Sequence, residues 1–131
     1  MSEIKKLDTI FSQYIRLLYT SDNGYGDCIT CGHSFHYDNL ECGHFRSRRN
    51  LTTRWYEGNA HIQCIECNQK DDVGAYMIFM LEKYGMDFTS DIIQRSKVDY
   101  KFIQDDYEQM YKHYRAKVKE LLKDKMFTIN Y

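Results

Sequence analysis

Two short stretches, "CITC" at Cys28 to Cys31 and "CIEC" at Cys64 to Cys67, each carry two cysteines two residues apart, with 32 residues between the pairs. Two such hooks supply four thiolates, the closed tetrahedral set that a structural zinc ion prefers. A redox Cys-x-x-Cys is the rival reading, but it explains one pair and leaves the other idle. A closed four-thiolate site has no open position for water, so it organises the chain without catalysing. Any catalysis must come from other residues; His44, Asn59, His61 and Asn68 lie between or beside the pairs, with Arg46, Arg48, Arg49 and Arg54 close by. A histidine near its unperturbed pKa of about 6.5 can take a proton from water, and arginines can grip phosphates. Each residue also has a plainer role. A histidine beside a zinc knuckle can simply pack, Asn68 can cap a helix, and clustered arginines can be solvated. Those plainer roles must be invoked independently for every residue, which favours a shared site.

The elements that must position these residues can be read from periodicity. Ile4, Leu7, Ile10, Phe11, Tyr14, Leu17 and Leu18 form one apolar stripe, predicting a helix from about Glu3 to Tyr19 that Ser2 caps. "SDNGYGD" is turn-forming and delivers the chain to Cys28. Helical period then disappears, and "NLECGHF" and "NAHIQC" fit short strands. Strand alternation puts Cys42, His44 and Arg46 on one face, and groups Asn59 with His61. A second helix is predicted from Asn68 to Tyr84 with Gly85 as its C-cap, and a short one over "SDIIQRS". The stripe from Phe102 to Leu122 predicts a long terminal helix reaching about Lys125. The segment between the cysteine pairs is poor in aliphatic residues, so zinc would replace a core there and couple its folding to metal. The fold class is α+β: a small zinc-stabilised core flanked by N- and C-terminal helices. It is one domain over residues 1–131, with segments 1–20, 28–84 and 98–126. Cys42 reads as a small buried residue. His33 and His36 read as surface loop, or one of them replaces a cysteine in the zinc set.

Net charge is -1 and the pI about 6.5, so any basic surface is local. Arg46, Arg48, Arg49, Arg54 and Lys70 face only Glu57 and Glu66 in one segment, and a second basic surplus runs from Lys112 to Lys125. No apolar run has the length of a signal core or approaches the roughly 20 residues needed to span a bilayer, so the chain is read as intracellular.

The order of a cysteine pair, His44 on a first strand, Asn59 opening a second, then "CIECN" resembles the HNH, or ββα-metal, nucleases. The asparagine directly after the last cysteine is similar to that of recombination endonuclease VII. "LDTIFSQYIRL", "CITCG", "ECGHF", "TRW", "NAHIQCIECN" and "EKYG" together resemble the NinG/Rap family of phage recombination proteins, from about Leu7 to Gly85. That resemblance implies a metal-dependent endonuclease that nicks branched DNA such as Holliday junctions and D-loops, in a bacterial cytoplasm. His44 would be the general base, Asn59 would hold the loop that carries it, and Asn68 would bind catalytic Mg2+ or Mn2+. Arg46, Arg48, Arg49 and Arg54 would grip flanking DNA phosphates. In many relatives Asp or His precedes the base and helps bind the metal. Here Gly43 stands there, leaving Glu41 or His61 to supply the ligand, with His61 favoured. Cutting two strands would suit a homodimer. The rival expectations are a non-catalytic zinc module that binds DNA and a zinc-organised protein adaptor.

Overall fold

The computed structural model describes residues 2–131. Helix α1 (Glu3–Leu18) starts where Ser2 Oγ accepts from the Lys5 amide at 3.2 Å, and buries Leu7, Ile10, Phe11, Tyr14, Ile15 and Leu17. Strands β1 (Tyr25–Asp27) and β2 (Ser34–His36) then form an antiparallel hairpin, pairing Tyr25 with His36 and Asp27 with Ser34. "CITC" is the loop of that hairpin, closed by the Cys28 amide on the His33 carbonyl at 2.9 Å, and Gly32 supplies the positive φ of 75° the loop needs. The hairpin has no counterpart among the predicted strands, because each arm has only three residues and shows no usable alternation.

Strand β3 (Leu40–His44) pairs antiparallel with β4 (Ala60–Cys64), setting Gly43 opposite His61 and His44 opposite Ala60. Between them the chain makes one helical turn, α2 (Leu51–Arg54). β4 runs straight into α3 (Ile65–Lys70), whose N-cap is Cys64, so Asn68 lies within this helix and does not open it. The predicted helix from Asn68 to Tyr84 is in fact two. Asp71 adopts a left-handed conformation (φ 51°), and Asp72 caps α4 (Val73–Tyr84) by accepting from the Ala75 amide. Short polar side chains tolerate that conformation and favour caps, so two consecutive aspartates end one helix and start another.

Helix α5 (Met86–Ser96) begins four residues ahead of "SDIIQRS", and α6 (Gln104–Leu122) is the long terminal helix. α6 packs along α1, with Tyr114 and Val118 in a core shared with Phe11, Trp55, Ala60 and Ile62. A smaller core of Phe45, Tyr76, Met80 and Ile92 lies between α4 and α5. The chain end folds back over the first hairpin, with the Met126 amide on the Asp22 carbonyl and Phe127 against His36 and Tyr37. No helix is long and apolar enough to cross a membrane among the described residues.

Tyr114 Oη donates to the Trp55 carbonyl at 2.6 Å and joins α6 to the loop behind the β3–β4 pair. Tyr114→Phe leaves that buried carbonyl without a partner, at an expected cost of about 1–3 kcal/mol in denaturant unfolding followed by circular dichroism; an unchanged midpoint would contradict it.

Candidate functional site

The sulfurs of Cys28, Cys31, Cys64 and Cys67 all lie within 4.8 Å of one another. A tetrahedral zinc with Zn–S bonds of about 2.3 Å has sulfurs about 3.8 Å apart, so the four need only a small contraction to fit. They can hold a metal ion, and an all-thiolate set matches structural zinc. Their protonation points the same way. Burial pushes the Cys28 thiol up, but the amides of Cys31, Cys64 and Thr30 outweigh it and bring the thiol down to about 7. Burial and the neighbouring sulfurs push Cys67 up to about 12. Four crowded thiols cannot all ionise unless a cation compensates them. The cluster joins the β1–β2 hairpin to the junction of β4 and α3, which sets where Asn68 stands. Neither His33 nor His36 belongs to it.

Beside this cluster a cleft of about 830 Å³ opens between α1, β3 and α3, lined by His44, Glu41, Asn68, Asp8, Arg16 and Arg48 among others. His44 Nε2 bonds the Arg54 carbonyl at 2.9 Å. A carbonyl only accepts, so Nε2 carries the proton and the Nδ1 lone pair is uncommitted. Burial pulls His44 down to about 4, with the cationic Arg48 and Arg54 adding to the effect, so the ring is neutral at physiological pH. Asn68 Nδ2 donates to Glu41 Oε1 at 2.9 Å, which leaves the amide oxygen of Asn68 and one carboxylate oxygen of Glu41 free for a hard cation. Cys42 shares the cleft, where burial pushes its thiol up to about 12, but a soft sulfur is a poor partner for a hard cation such as Mg2+.

Asn59 is fully buried and bridges the loop between the strands: Oδ1 accepts from the Arg46 amide at 2.8 Å, and Nδ2 donates to the Arg46 and Thr53 carbonyls. His61 faces the other side of the sheet, among Tyr76, Phe79 and Tyr84 of α4, and does not reach the cleft. Tyr76 Oη donates to the Gly43 carbonyl at 2.7 Å, so it accepts from His61 Nδ1, and the Tyr84 hydroxyl donates to His61 Nε2 at 2.6 Å. Both ring nitrogens are occupied, and no lone pair is left for a metal. Gly43 is glycine for a steric reason as well, because a Cβ there would overlap the side chain of Gln63.

The four arginines separate. Arg54 pairs with Asp8 through two nitrogens, at 3.0 and 2.5 Å, and its side chain is 17% exposed. Arg46 donates to Ser96 Oγ on α5, and Arg49 is exposed away from the cleft. Only Arg48 lines the cleft; it shares Asp8 at 2.8 Å and is 58% exposed. Asp8 also accepts from Trp55 Nε1 at 2.9 Å. Burial raises the Asp8 carboxyl, but these donors outweigh it and hold it below the usual carboxylate range. Sequence reasoning missed Asp8, Ser12 and Arg16, which recur every four residues on α1 and line one wall of the cleft. That polar stripe beside the apolar one was the available signal.

A family model described as "Bacteriophage Lambda NinG protein" matches residues 2–124. No curated protein and no solved structure matches the chain.

Two measurements check this geometry. The native protein should carry one zinc per chain by elemental analysis, and Cys64→Ser should lose both the zinc and cooperative unfolding; a metal-free protein with native stability would contradict the site. Burial, with Lys83 nearby, pulls His61 down to about 3 against 6.5 unfolded. The unfolded state therefore binds the extra proton between those values, and stability falls as pH drops below about 6.5. With zinc saturating, His61→Gln should flatten the native slope by about one proton, or about 1.4 kcal/mol per pH unit. Equal slopes for the two proteins would contradict the burial of a neutral ring.

Proposed function

Because the chain belongs to the bacteriophage lambda NinG family, we propose that it is a metal-dependent DNA endonuclease of the HNH, or ββα-metal, type. Its substrate in this reading is branched DNA, a Holliday junction or a D-loop, nicked during phage recombination; the branch preference is carried by the family resemblance alone. One observation carries the chemistry: a neutral His44, oriented by the Arg54 carbonyl and free at Nδ1, shares its cleft with the Glu41–Asn68 pair.

His44 Nδ1 takes a proton from water as the water oxygen attacks phosphorus. The bond to the 3'-oxygen breaks and that oxygen takes a proton from solvent, giving a 5'-phosphate and a 3'-hydroxyl, and the imidazolium then returns its proton to water. An incoming phosphodiester anion favours the imidazolium, so substrate binding raises His44 from its low value towards the range of a working base. Glu41 and Asn68 would hold Mg2+ or Mn2+, which would supply charge neutralisation at phosphorus and at the leaving oxygen. Glu41 takes the ligand role expected of His61, whose nitrogens are committed elsewhere. The cation is needed on electrostatic grounds, since Asp38, Glu41 and Asp71 line the same cleft. A phosphate 4 Å from one such carboxylate is repelled by about 4 kcal/mol near a protein surface. Asn59 holds the loop behind His44, and Arg48 meets a flanking phosphate.

Nicking of a four-way junction and of a matched linear duplex, with Mg2+ or with Ca2+ in its place, tests the reading. The native protein should nick the junction faster and only with Mg2+ or Mn2+. His44→Ala and Glu41→Gln should lose at least about a hundredfold in rate while keeping zinc. Absence of any metal-dependent product from native protein overturns the enzyme, and retained binding would then leave a non-catalytic DNA module. Equal cutting of both substrates removes the branch preference.

A further inference from the structure

Arg16 is the one basic residue of the cleft that lies outside the arginine-rich loop. Its guanidinium stacks over the Tyr37 ring at 4.3 Å, and Nε donates to the Ser12 carbonyl and hydroxyl at 3.3 and 3.2 Å. Those contacts use Nε and one face of the plane. The two terminal nitrogens make no hydrogen bond or ion pair among the described residues, although Asp38, Glu41 and Asp71 line the same cleft. A half-buried guanidinium held flat and short of acceptors is a fork built for a bidentate oxyanion. Its side-chain freedom is already spent on Tyr37 and Ser12, so binding has little further ordering cost.

The position of Arg16 says which oxyanion. Along α1, Asp8 and Arg16 are about 12 Å apart at 1.5 Å per residue. Asp8 holds Arg48 at one end, Phe11 sits 6.1 Å from the His44 ring between them, and Arg16 meets Tyr37, just before β3, at the other. Arg16 and Arg48 thus bracket His44. Arg48 can leave Asp8 for a phosphate, because Arg54 and Trp55 continue to satisfy that carboxylate. We propose that Arg16 is a preorganised phosphate clamp which, with Arg48, seats one DNA strand across the cleft on both sides of His44. This rests on the nuclease reading for which phosphate is cut, and is independent of it for binding.

The test is fluorescence anisotropy of a labelled four-way junction in Ca2+ across a salt series, run beside the nicking rate in Mg2+. Arg16→Gln and Arg48→Gln should each weaken binding about tenfold or more, and make the salt slope shallower by about one. Arg16→Lys keeps the charge without the fork, and should fall between native and Arg16→Gln. Lys5→Gln, an exposed charge on the same helix outside the cleft, should bind as native protein does. Zinc content and thermal unfolding confirm that each variant is folded; if Arg16→Gln is not, Arg16→Lys decides by the same slope. Native affinity and slope in folded Arg16 variants overturn the clamp, and leave the nuclease intact if nicking persists. Reduced binding in those variants with no nicking by native protein supports the clamp and overturns the nuclease. A native protein that binds no DNA overturns both.

Discussion

Four sulfurs within 4.8 Å of one another are the constraint on which the centre of this fold depends. Neutral, they are weak hydrogen-bond partners; ionised, they repel. One divalent cation would remove both problems and make an anchored node in a segment with few aliphatic residues. The node joins a hairpin whose strands are three residues long to the point where β4 becomes α3. Such a hairpin is marginal alone, and α3 is only six residues, too short to hold itself. A metal held there would keep both in place, and with them Asn68 against Glu41.

The second organising centre is electrostatic. Asp8, on the long first helix, gathers Arg54, Arg48 and Trp55 from the loop between β3 and β4. That places an arginine-rich loop, which would otherwise repel itself, against the wall of the cleft. Arg54 serves twice: its side chain is anchored on Asp8, and its carbonyl fixes the tautomer of His44. The four arginines that look like one phosphate-binding patch divide: Arg54 is internal structure and Arg46 is tied to Ser96, while Arg48, with Arg16 from α1, lines the cleft and Arg49 is exposed away from it.

The β3–β4 pair separates the two histidines by face. His44 looks towards α1 and keeps one nitrogen free, while His61 looks towards α4 and gives both nitrogens to tyrosines. Burial lowers the pKa of each ring, yet only His44 can exchange a proton with anything in the cleft. A lowered pKa alone does not distinguish a base from a packed ring; the hydrogen-bond partners do.

The sequence by itself determined the two cysteine hooks, the first and last helices, the β3 and β4 strands, the local grouping of charge and the family. These are local in kind: spacing, period and motif are written in neighbouring residues. The break at Asp71, the cysteine hairpin and the full length of α5 escaped because each is decided within a few residues by caps and by packing on elements far along the chain. The site shows the same division. His44, Asn59 and Asn68 stand out in the sequence as candidates by type and order, whereas the place of Glu41 beside Asn68, the commitment of both His61 nitrogens and the different partners of the arginines do not. Those depend on which side chain meets which partner 27 to 46 positions away, as in Glu41 with Asn68 and Asp8 with Arg54. Only the tertiary structure decides this, because hydrogen-bond capacity is finite. A nitrogen or guanidinium spent on an internal partner is no longer available for metal or DNA.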